Sequence, residues 1–145
     1  MILVHRNATE EEILERVRDW VEGIACGEVE EAFRVLTEGV SDRWQPRHLE
    51  YILSTYRSGL YPGETEFRIT SWKTARTEGR QPVREVTWYE PNPSFLAVIE
   101  HDVPLNGRWS DLQAVFILVE REDSDHQLLW LEDIEQEGRS VRSRG

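Results

Sequence analysis

The sequence predicts an α+β domain: three N-terminal helices packed on one face of a curved, mainly antiparallel sheet of about five strands. Three observations carry that prediction. Apolar residues keep a 3.6-residue period as far as Leu60, the period falls to two from Glu64 onward, and residues 103–135 read as the most apolar strand pair in the chain, joined by a short acidic turn.

The helices are justified in order. Thr9 and Glu12 stand at capping-box spacing, and the acidic run between them complements a helix N-terminus. Ile13, Leu14, Val17, Trp20, Val21 and Ile24 then line one stripe, and Gly27 suits a left-handed cap. A second helix spans 28–36, with Val29, Ala32, Phe33 and Leu36 on one face and Gly39 after it, so the first two form a helical hairpin. Gln45 and Pro46 open a third, in which Leu49, Ile52, Leu53, Tyr56 and Leu60 share a face before Pro62 and Gly63.

Strands follow. Phe67, Ile69 and Ser71 alternate with Arg68, Thr70 and Trp72, which predicts a strand over 64–72. Residues 83–89 alternate again; Pro91, Asn92, Pro93 and Ser94 make a turn, and a third strand runs over 95–103. Asn106-Gly107 is the dipeptide of a type I′ hairpin, because both positions need positive φ. It leads into a strand over 109–122, which a turn at 123–125 joins to a last strand over 127–135. In the fourth strand Val115, Ile117 and Val119 alternate with Ala114, Phe116 and Leu118, so both faces are apolar. Helices cover one face; the other must meet a ligand, another chain or the sheet curled on itself.

The chain's 145 residues fit one domain, expected over 1–138, with an arginine-rich flexible tail over 139–145. A formal charge of −11 argues against nucleic acid or an anionic membrane as partner and permits a basic protein. Only four apolar residues precede His5 and Arg6, too few for a signal peptide, and no apolar run approaches a membrane span. Cys26, the lone cysteine, reads as a small buried hydrophobe in a reducing cytoplasm.

A helical hairpin about Cys26, Gly27, Glu28 and Val29, a third helix and a meander of long strands resembles the nuclear-transport-factor-2-like superfamily, which includes ketosteroid isomerase. The resemblance implies a cone-shaped sheet wrapped round its helices. More narrowly, Gly107, Trp109, Ser110, Asp111 and Leu112, followed by Leu131, Glu132, Asp133 and Ile134, resemble a group of small uncharacterised bacterial proteins. Some of those are suspected of neutralising toxins. Fold likeness alone transfers no activity.

Chemistry is sparse. A ketosteroid-isomerase-like site, using the cone interior, would draw its base from Asp111, Glu132 or Asp133 and its donor from Tyr56, Tyr89 or His101. With 28 carboxylates in the chain, some fall near strand ends by number alone. His101 and Asp102 point to opposite faces of a strand and cannot pair by side chain. His5, His48, His101 and His126 are widely separated in sequence, with no zinc spacing, so no metal or other cofactor is expected. Ser110 and Asp111 either close local backbone bonds at a strand start or stand at the cone mouth. Trp88, Trp109 and Trp130, in strands expected to be neighbours, fill the core or mark an interface or pocket. These residues favour binding over catalysis: a cytoplasmic module acting on a protein partner or a second copy through its sheet, with a small apolar ligand as the alternative. The binding residues expected are Trp88, Trp109, Asp111, Trp130 and His101.

Overall fold

The computed structural model describes residues 1–37, 44–89, 95–122 and 124–137. Strand β1 (Ile2–His5) precedes helices α1 (Glu10–Ala25), α2 (Val29–Thr37) and α3 (Pro46–Thr55). A 3-10 turn (Trp72–Thr74) leads to β2 (Arg84–Trp88), β3 (Ala97–Leu105), β4 (Arg108–Val119) and β5 (His126–Gln136). The strands form one open antiparallel sheet in the order β1-β5-β4-β3-β2, with the three helices packed on one side of the molecule.

The first helix follows its local code. Thr9 Oγ1 accepts from the Glu12 amide at 3.1 Å, and Glu12 Oε1 accepts from the Thr9 amide at 3.1 Å. Ile13, Val17, Trp20, Val21 and Ile24 are buried on one stripe. Trp20 holds the layers together: its ring meets Phe33 of α2 at 5.8 Å and the edge of Phe116 of β4 at 5.4 Å, and its indole N–H donates to the Ala32 carbonyl at 2.9 Å. Gly27 has φ 89° after the helix, a conformation that a side chain would strain. Cys26 is exposed and not buried. It stands two residues past Ile24, about 200° round the helix, which takes it off the buried stripe.

The hairpin at Asn106-Gly107 is as its chemistry dictates. Both residues have positive φ (51° and 84°), and Leu105 pairs directly with Arg108. Tyr61 secures that hairpin from below, its hydroxyl donating to the Leu105 and Arg108 carbonyls at 2.9 and 3.0 Å. Tyr56, Tyr61 and Phe67 pack edge to face beside it.

The strand expected over 64–72 does not form. Ile69 makes one isolated bridge to Leu105, and the neighbouring groups bond to the β3–β4 hairpin instead. The Arg68 amide donates to Asn106 Oδ1, and the Gly107 amide donates to Thr70 Oγ1. The alternation reflects real burial of Ile69, and the Thr70 amide donates to the Pro104 carbonyl and the Asn106 amide to the Arg68 carbonyl, but the pairing goes no further than that one bridge and side-chain acceptors take the bonds beside it. The fifth strand is instead β1, whose Ile2 and Val4 enter the core against β5. Expected features at Gly39, 91–94, 123 and the tail 139–145 lie outside the described residues.

The helix-side core contains Ala97, Ile99, Val103 and Leu105 of β3, Leu112, Ala114, Phe116 and Leu118 of β4, and Leu129, Leu131 and Ile134 of β5. Register shifts between Asp102 and Pro104 and between Val115 and Phe116 interrupt the ladders, and such bulges bend and twist a sheet. Among the described residues, no helix is long and apolar enough to cross a membrane.

Candidate functional site

The alternation that sends Phe116 and Leu118 to the helices sends Val115, Ile117 and Val119 to the opposite face. Ladder partners extend that outer face: Ile117 pairs with Val98 and Trp130, and Val119 with Leu128, which pairs in turn with Leu3. Val98 and Val115 are buried, while Leu3, Ile117, Val119, Leu128 and Trp130 are half-buried. One end of the outer face is therefore an apolar patch. Beyond Val115 its character changes to Glu100, Asp133 and Glu135, partners of Val115 and Gln113.

Deeper in that acidic end lies a polar cluster. Asp102 is wholly buried and its carboxylate accepts from Arg80 Nε (3.0 Å) and Nη2 (3.3 Å), the Val83 amide (2.7 Å) and Gln113 Nε2 (3.1 Å). Arg80 also binds Glu137. Burial raises the Asp102 pKa, and the Arg80, Val83 and Gln113 hydrogen bonds oppose that rise. The cluster locks the 77–83 loop to the sheet. Sequence reasoning missed Arg80 and Gln113; the available signal was a glutamine amid the apolar run of β4.

His101, on the other side of β3, is 1% exposed. Its Nδ1 donates to the Asp102 carbonyl at 2.7 Å, its ring lies 6.3 Å from that of Trp109, and Nε2 has no hydrogen-bond partner. Burial, the largest influence, pulls its pKa down to about 4, so the imidazole is neutral at physiological pH. It is shielded from solvent, which denies it a ligand-gripping role on the surface.

Asp111 stands at the far end of β4. It accepts from Tyr56 Oη, from Ser58 Oγ at 3.3 Å and from Gln136 Nε2 at 3.0 Å, tying α3 and its following loop to β4 and β5. A cleft of about 260 Å³ opens beside it, lined by Ile52, Tyr56, Arg57, Leu112 and Ile134 among others. Burial and the hydrogen bond to Asp111 push the Tyr56 hydroxyl well above its ordinary pKa. Carboxylate and phenol thus satisfy each other. The Ser110 hydroxyl closes local backbone bonds, donating to the Val103 carbonyl and accepting from the Leu112 amide.

The three tryptophans do not converge. Trp109 is 6% exposed beside Pro104, Trp130 lies on the outer face opposite Ile117, and Trp88 is 48% exposed on the helix side of β2, its indole N–H donating to Glu10 at 2.6 Å. β3 lies between β2 and β4 and separates Trp88 from the others, while Trp109 and Trp130, on the neighbouring β4 and β5, stand at different levels of the ladder, Trp130 opposite Ile117 and Trp109 opposite Pro104. Tyr89 is exposed and meets Phe95 edge to face, far from Asp111 in the ladder; Glu132 and Asp133 sit at the β5 bulge. Two histidines distant in sequence do meet: His5 and His126 pair across β1 and β5. Among the described residues no group of three or more histidine, cysteine or acidic side chains is placed to hold a metal.

Searches against protein-family models, characterised proteins and solved structures gave no match.

Proposed function

We propose that this protein is a cytoplasmic, non-enzymatic binding module that associates through the outer face of its sheet, in the first instance with a second copy of itself. The observation that carries this reading is the apolar patch of Leu3, Ile117, Val119, Leu128 and Trp130 on the face opposite the helices. Two copies overlapping head to tail on that patch would bury it and keep their acidic ends, with Glu100 and Asp133, far apart. The helices-first order and the bulged antiparallel sheet support a nuclear-transport-factor-2-like cone, to which β1 adds an edge strand. Side-chain footprinting tests the reading: labelling of Ile117, Leu128 and Trp130 should fall as protein concentration rises. Labelling that does not change with concentration would refute self-association through this face.

A basic partner protein is the second reading, favoured by the charge of −11 and by the resemblance to suspected toxin-neutralising proteins. The ketosteroid-isomerase-like alternative has a shielded carboxylate opposite a tyrosine in its favour, Asp111 and Tyr56. That tyrosine spends its proton on the carboxylate, and Ser58 and Gln136 occupy it further, so neither group is poised to act on a ligand.

A further inference from the structure

At the end of the sheet where β1 and β5 pair, His5 stands directly opposite His126. The adjoining pair is hydrogen-bonded, with the Arg6 amide donating to the Asp125 carbonyl at 2.9 Å. In an antiparallel ladder hydrogen-bonded and non-hydrogen-bonded pairs alternate, so the histidines occupy a non-hydrogen-bonded pair, where opposing Cβ atoms come closest. Arg6 fixes this end of the ladder further: it forms an ion pair with Glu120 and donates to the Arg121 and Ser124 carbonyls at 3.0 and 2.7 Å. The imidazole centroids lie 4.8 Å apart with their planes tilted by 54°. His5 is exposed and His126 half-buried, and among the described residues no hydrogen bond occupies either ring.

We propose that His5 and His126 form a two-imidazole site for a borderline divalent transition-metal ion of the zinc or nickel type. The spacing is the primary argument. A metal–nitrogen bond of about 2.0–2.1 Å, with the ring centroid about 1.1 Å behind the nitrogen, puts each centroid about 3.2 Å from the ion. At ligand angles between square and tetrahedral, two such rings stand about 4.5–5.2 Å apart, and the observed 4.8 Å falls inside that range. Neutral imidazole is the ligand these ions prefer, and the remaining coordination positions are open to water. Glu12, which lies within electrostatic reach of His5, adds negative potential that favours a cation there.

Zinc titration of the full chain by calorimetry at pH 7.5 tests the site, with His5→Ala, His126→Ala and His48→Ala measured in parallel. His48 is the control because its Nδ1 accepts from the Gln45 amide at the start of α3, remote from this ladder. The expected result is one zinc per chain, at least tenfold weaker binding in His5→Ala and in His126→Ala, and unchanged binding in His48→Ala. Circular dichroism of the metal-free variants confirms that each is folded. No binding to the parent chain, or equal affinity in the parent and both ladder variants, would overturn the proposal and assign any zinc to the surface carboxylates.

Discussion

The Asp102 carboxylate, wholly buried at the middle of the sheet, takes two hydrogen bonds from the Arg80 guanidinium, which arrives from a loop outside it. Its other hydrogen-bond partners among the described residues, the Val83 amide and the Gln113 side chain, are neutral. Removing one partner of a buried ion pair leaves the other charged and desolvated, at a cost of about 3–5 kcal/mol. Arg80→Ala should therefore lower unfolding stability by about that amount in urea titration. The double variant Arg80→Met with Asp102→Leu should recover much of the loss. A single-variant loss under about 1 kcal/mol would show that Asp102 is neutral or hydrated.

His101 sets an acid limit on stability. Its folded-state pKa is about 4 and the ordinary value for an unfolded chain is about 6.5, so between those pH values the unfolded state binds the extra proton. Stability should be full above about pH 6.5 and fall as pH drops toward 4, by roughly 3 kcal/mol for this group. Asp102, with its pKa raised by burial, acts in the opposite sense within its own titration range. Unfolding followed from pH 7 to pH 4 should show the fall in the parent chain and a flatter profile in His101→Phe. Equal slopes in the two would contradict the assignment.

Tyr56 and Asp111 should be coupled. Phenylalanine at position 56 removes the shortest donor to Asp111 but leaves Ser58 and Gln136 in place. The expected loss is about 1–3 kcal/mol, and a double-mutant cycle with Asp111→Asn should give a coupling energy of about 0.5–3 kcal/mol. Additive losses would mean that the pair contributes no interaction of its own.

These sites were legible in the sequence to different depths, and the division follows locality. The Thr9–Glu12 capping box and the Asn106-Gly107 turn depend on residues within four positions of one another, so sequence alone reads them correctly. The α1 stripe is equally local, and it explains why Cys26, off that stripe, is exposed. Strand β1 is four residues long and draws its pairing from β5, more than a hundred residues away, so periodicity has nothing to work on. The segment 64–72 misleads for the opposite reason: its alternation is real, but its pairing stops at the Ile69–Leu105 bridge, beyond which Asn106 and Thr70 side chains take part in its bonds to the hairpin. Asp111 is expected as a strand-start or binding residue, and the fold ties it to Tyr56, whereas Arg80 lies hidden in a polar loop whose partner, Asp102, only the fold supplies. Trp88, Trp109 and Trp130 scatter because β3 lies between β2 and β4, and because Trp130 pairs with Ile117, eight residues along β4 from Trp109.

The outer sheet face carries the central claim, and solution mass tests it most directly. Sedimentation equilibrium at about 100 µM should report twice the 17.1 kDa chain mass for the parent protein and a folded monomer for Ile117→Arg, because a charge buried unpaired in the patch opposes association. A strictly monomeric parent chain at that concentration, or a dimer that Ile117→Arg leaves intact, would contradict it.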